Sequence, residues 1–145
     1  MSCILLGDFE SFSRLNIPMF LERVSAGFPS PAEDYIEKTI DLNELCIQHP
    51  AATFFVRVQG ESMIEAGIYP GDVLVVDRSL RAGHGDTIIA SLESEMTVKQ
   101  LHLTPPPVRL LPRNSAYQPI TVEGDMVMEV FGVVTNVIRS MKRGR

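Results

Sequence analysis

Cysteine is scarce, basic charge is not in excess, and no apolar run is long. The two cysteines, Cys3 and Cys46, lie far apart without paired spacing, which supports neither a disulfide framework nor a zinc site and favours a reducing cytoplasm. No metal and no cofactor is expected. Thirteen basic against 18 acidic residues leave a formal charge of −5, which opposes free-standing attraction to a phosphate backbone and excludes a simple sequence-specific DNA binder. The first residues, MSCILLGDFE, carry no basic leader, and no later stretch approaches the roughly 18 apolar residues of a membrane span. The expectation is a soluble, cytoplasmic protein with no membrane partner.

What is present is ordinary globular material: 145 residues, 45% hydrophobic and 21% charged, enough for one compact core. Up to about residue 31 the sequence reads as an irregular, extended N-terminal arm, broken by Pro18, Gly27, Pro29 and Pro31. A short helix is predicted over Asp41 to Gln48, with Asp41 as cap, Glu44 at the capping-box position and His49-Pro50 as stop. Beyond it come six β-rich segments, TFFVRV, DVLVVD, DTIIASL, MTVKQLHL, VRLLP and MEVFGVVTNVI, separated by turn signals at Gly60, 70–72, 83–86 and 105–107. They predict a mainly β domain over 32–140 with a coiled, barrel-like sheet. The basic end, with Arg139 and the tail 141–145, reads as solvated.

Two polar residues interrupt this pattern. Ser62 follows the strand-like run 54–58 and Gly60, in QGESM. A serine needs a base to become a nucleophile, and His49, His84 and His102 sit in contexts that fit structural or exposed roles. Lys99, in TVKQL, is the better candidate. Period-two alternation puts it on one strand face with Thr97, Leu101 and Leu103, and the two leucines would desolvate its amine and lower its pKa. A strand lysine is more often an exposed edge residue, and a turn serine usually has no further role, so these residues leave both readings open. SAGFPSP (25–31) then offers a small, extended segment that a protease cleft could accept, with the Ala26-Gly27 bond at its centre.

Together SAGFPSP, GESMIEAGIYPGDVLVVD and HGDTIIASLESEMTVKQL resemble the UmuD-type SOS mutagenesis proteins, members of the LexA-like family of self-cleaving serine-lysine peptidases. The resemblance runs from Gly27 to about Val137. It implies the LexA/signal-peptidase-like coiled β-fold, Ser62 as nucleophile, Lys99 as general base and acid, and self-cleavage at Ala26-Gly27, within a cleavable N-terminal arm outlined as 1–31, that removes residues 1–26. It further implies stimulation by RecA filaments on single-stranded DNA in the SOS response. The shortened product would then act as a homodimer with the catalytic subunit of a Y-family DNA polymerase in translesion synthesis. A LexA-like repressor would need a helix-turn-helix domain ahead of the bond, for which the 26 preceding residues are too few. A signal-peptidase-like enzyme would need a membrane anchor. A non-catalytic polymerase-binding module remains as the alternative class.

Overall fold

A computed structural model describes residues 2–8, 17–20 and 36–142. The chain divides into two compact units, residues 10–48 and residues 1–9 with 49–145. The smaller unit contains an antiparallel pair, β2 (Ile17–Phe20) and β3 (Ile36–Ile40), and the helix α1 (Leu42–Cys46). The predicted cap is in place: the Asp41 side chain accepts from the Asn43 N–H at 3.0 Å, satisfying one of the orphan amides of the first turn.

The larger unit is one eight-stranded antiparallel sheet in the order β1-β4-β5-β10-β6-β7-β8-β9. Its strands are β1 (Ser2–Asp8), β4 (Thr53–Gln59), β5 (Val73–Asp77), β6 (Thr87–Leu92), β7 (Glu95–His102), β8 (Arg109–Leu111), β9 (Ile120–Thr121) and β10 (Met128–Ile138). All six predicted strands form, and the mainly β class holds. Of the other strands, β1 and β2 lie inside the stretch read as an irregular arm. Ala26 and Gly27 fall outside the described residues.

Each face of the sheet carries its own core. Phe54, Val56, Val58, Met63, Leu74, Val76, Ile89 and Val98 pack together, while Ile88, Ala90, Leu101, Leu110 and Val133 form the second cluster. Ile88 and Ile89 therefore point to opposite faces, as period-two geometry requires, and both are fully buried. The eleven-residue β10 pairs with β6 through its first half and β5 through its second. Register shifts between Val130 and Gly132 and between Val134 and Asn136 bend it and strengthen the local twist. Gly132 is required there, because a Cβ would meet Val76 Cγ1 at 2.7 Å and the Asp77 carbonyl oxygen at 3.0 Å.

Curling brings the distant strands of this sheet together. Four strand steps separate β4 from β7, which in a flat sheet would place them about 19 Å apart at the usual ~4.8 Å spacing. Instead β1, the neighbour of β4, comes against β7. At the far end Arg139 departs from the solvated reading of the basic end. Its Nε and Nη2 donate to the two carboxylate oxygens of buried Asp72 at 2.7 and 2.6 Å, and its guanidinium stacks 4.5 Å from the Tyr69 ring centroid.

Candidate active site

Ser62 enters the site on a tight turn. Gly60 has φ +84°, a left-handed conformation that glycine reaches without a Cβ clash, and it swings the chain out of β4. Met63 is fully buried and anchors the turn in the first core. The segment after β8 holds the other side. Arg113 N–H donates to the Ser62 carbonyl at 2.7 Å, Glu65 N–H to the Arg113 carbonyl at 2.8 Å, and Asn114 Nδ2 to the Glu61 carbonyl at 2.9 Å. This clamp was not readable beforehand, because carbonyl acceptors fifty residues away leave no mark on the local pattern RNSAYQPI.

Lys99 arrives on β7, whose register is set by the β6–β7 hairpin. Leu92 opposes Glu95 and Ile88 opposes Lys99, with Glu93 and Ser94 forming a two-residue turn at φ +51° and +68°. Such primed turns match the twist of a hairpin but ordinarily use asparagine or glycine, so the sequence carries no turn signal here.

The structure brings the two candidates together. Lys99 Nζ lies 3.2 Å from Ser62 Oγ, and the residues are 4% and 0% exposed. The same amine donates to Thr97 Oγ1 at 2.8 Å and to the Val98 carbonyl at 3.2 Å. A neutral amine has two N–H groups and one lone pair. Were the amine neutral, hydrogens directed at Thr97 and Val98 would leave its lone pair facing Ser62 Oγ. Thr97 is the residue that sequence reasoning placed on the right face but gave no role. Burial pushes the Lys99 amine below its ordinary value of 10.5, against the opposing charge of nearby Glu95. Leu101 and Leu103, expected to desolvate this face, lie buried and half-buried in the second core.

A cleft of about 470 Å³ opens beside the amine, lined by Gly60, Glu95, Met96, Thr97, Tyr117 and Ile120 among others. The histidines are engaged elsewhere. His49 Nδ1 pairs with Asp77 Oδ2 at 2.5 Å, His84 Nδ1 accepts from the Leu103 and Thr104 N–H groups, and His102 hydrogen-bonds with Arg109. Cys3 and Cys46 form no disulfide. Among the described residues no cluster of potential metal ligands occurs, and no helix is long and apolar enough to cross a membrane.

Comparison with known proteins shows the family. The Peptidase S24-like family matches residues 18–135. Protein MucA of Salmonella typhimurium is 48% identical over 122 residues, covering 83% of each chain. Protein SamA of Salmonella typhimurium strain LT2 is 49% identical over 125 residues, 86% of each. The LexA repressor of Alcanivorax borkumensis is 38% identical over 137 residues, 94% of this chain and 65% of the repressor. With a curled β-sheet carrying a serine against a buried lysine, and relatives of this closeness, the chain belongs to the Peptidase S24-like family and, within it, to the UmuD-type SOS mutagenesis proteins.

Proposed function

We propose that this protein cuts its own Ala26-Gly27 bond with Ser62 as nucleophile and Lys99 as general base and acid. The observation that carries the reading is the buried 3.2 Å approach of Lys99 Nζ to Ser62 Oγ. Ser62 Oγ attacks the Ala26 carbonyl carbon as its proton passes to Lys99. The tetrahedral intermediate collapses, the C–N bond breaks, and the Lys99 ammonium returns the proton to the Gly27 nitrogen. Water, deprotonated by the same amine, hydrolyses the Ala26–Ser62 ester and frees the serine. Backbone N–H groups of the Ser62 turn stabilise the oxyanion. Since the substrate is tethered, positioning can supply roughly 7 to 11 kcal/mol of the barrier.

Membership of the UmuD type supports the biological setting of this cleavage. RecA filaments on single-stranded DNA stimulate it, and the fragment beginning at Gly27 works as a homodimer with a Y-family polymerase catalytic subunit during the SOS response. The protein acts in the cytoplasm, without a cofactor or metal. The test is mass spectrometry of purified protein at alkaline pH, and with activated RecA filaments. A fragment starting at Gly27, absent from a Ser62→Ala protein, is expected. Absence of that fragment under both conditions would leave the non-catalytic polymerase-binding module as the surviving interpretation, which a pull-down with the polymerase subunit addresses.

A further inference from the structure

The strand that covers the outer edge of β4 is the chain's own beginning. β1 pairs along almost the whole of β4, from Asp8 opposite Phe54 to Ser2 opposite Gln59, with a register shift between Leu5 and Gly7. Antiparallel pairing directs the N-terminal end of β1 toward the end of β4 from which the chain turns into Gly60 and Ser62. β1 also comes against β7, the strand that carries Lys99. Cys3, half-buried, packs against the core cluster that contains Met63 and Val98, the chain neighbours of Ser62 and Lys99.

Physical chemistry makes this an unusual place for a terminal strand. Without β1, β4 would present a row of unpaired N–H and C=O groups beside the nucleophile turn. Such a row accepts an extended peptide by strand addition. An extended segment carried to Ser62 along β4 would use the same backbone groups that β1 now holds. Burial raises the Cys3 thiol above its ordinary range, so the side chain inserted at this point is a neutral, apolar plug rather than a thiolate beside the amine.

We propose that the outer edge of β4 is the strand-accepting surface of the site and that β1 is its resident occupant, so that the self-cleavage proposed above is gated by departure of β1. The inference rests on that cleavage reading for its consequence, but the occupancy of the edge stands separately. Two variants break the pairing, Ile4→Pro with Leu5→Pro, which removes amide donors opposite Arg57 and Val56, and deletion of residues 2–8. Both are expected to produce the Gly27 fragment at alkaline pH several-fold faster than the parent chain. A synthetic peptide of sequence SCILLGD added to the deletion variant should slow cleavage again. Parent-like rates in both variants, or no effect of the peptide at saturating concentration, overturn the gate. If no chain cleaves at all, it is the serine-lysine reading that has failed. The strand is then decided by hydrogen exchange on the Ser62→Ala background, where amides in residues 53–59 should exchange at least about ten-fold faster in the deletion variant. Equal protection in the two would show that β1 does not occupy the edge.

Discussion

Replacing Lys99 by methionine tests the central contact in two independent ways. Methionine keeps the length and most of the volume of the side chain but has neither a basic lone pair for the Ser62 proton nor a charge to bury. A positioned general base and acid is worth about 100- to 10,000-fold in rate. The 3.2 Å separation from Ser62 Oγ is already within proton-transfer reach, so the full effect is expected, followed as formation of the Gly27 fragment. The second readout is stability, measured by urea unfolding across pH on a Ser62→Ala background to prevent cleavage. Because burial lowers the folded-state pKa of Lys99, the unfolded chain binds more protons between the lowered value and the ordinary 10.5. Stability therefore rises with pH through that window, by at most about 1.4 kcal/mol per pH unit for a single proton, and the gain is complete above the unfolded value. Lys99→Met should lack this component, so the difference between the two proteins, with their shared tyrosines, cysteines and other groups cancelling, isolates the amine. Cleavage of the methionine variant at the parent rate would mean another base. A stability difference independent of pH would mean that the amine is not desolvated in the folded protein.

Three further outcomes are expected. Thr97→Val removes the acceptor at 2.8 Å while preserving shape; loss of one hydrogen bond of about 1 kcal/mol should slow cleavage roughly five- to ten-fold and move the midpoint of its pH–rate profile downward, with Thr97→Ser restoring both. Ser94→Gly relieves the left-handed φ of +68° in the β6–β7 turn and should raise stability by about 1 kcal/mol, seen as a higher urea midpoint with unchanged slope; a loss of stability would show that the turn is unstrained. Gly132→Ala forces a Cβ into Val76 Cγ1 at 2.7 Å and the backbone of Asp77, and overpacking of this kind costs about 1 to 3 kcal/mol, so an unchanged urea midpoint would contradict the tight crossing of β10 over β5.

The six predicted strands were legible because their β-branched runs advertise themselves locally: Phe54, Val56 and Val58 alternate with outward residues in the string as they do in the sheet. The helix cap at Asp41 was legible for a similar reason, since a capping side chain acts within three residues. The β6–β7 turn was not, because Glu93 and Ser94 adopt by tertiary support a conformation that their own preferences disfavour. Nor were the His49–Asp77 pair or the Arg139–Asp72 pair, whose partners lie 28 and 67 residues apart. Lys99 was legible as a residue out of place on an apolar strand face, and Ser62 as a hydroxyl at a strand exit, but their meeting was not.

By itself the amino-acid order determined which segments could be strands, which face of β7 carries the amine, and the run of small residues and prolines around Ala26-Gly27. These depend on side-chain volume, branching and period-two geometry within a few residues. Only the tertiary structure decided that the sheet curls far enough to bring β7 to the turn after β4, that Thr97 Oγ1 and the Val98 carbonyl lie within hydrogen-bond reach of the amine, and that β1 closes the edge of β4. Curvature accumulates from the twist and bulges of many strands at once, so it is a property of the whole sheet and has no address in any one stretch of sequence.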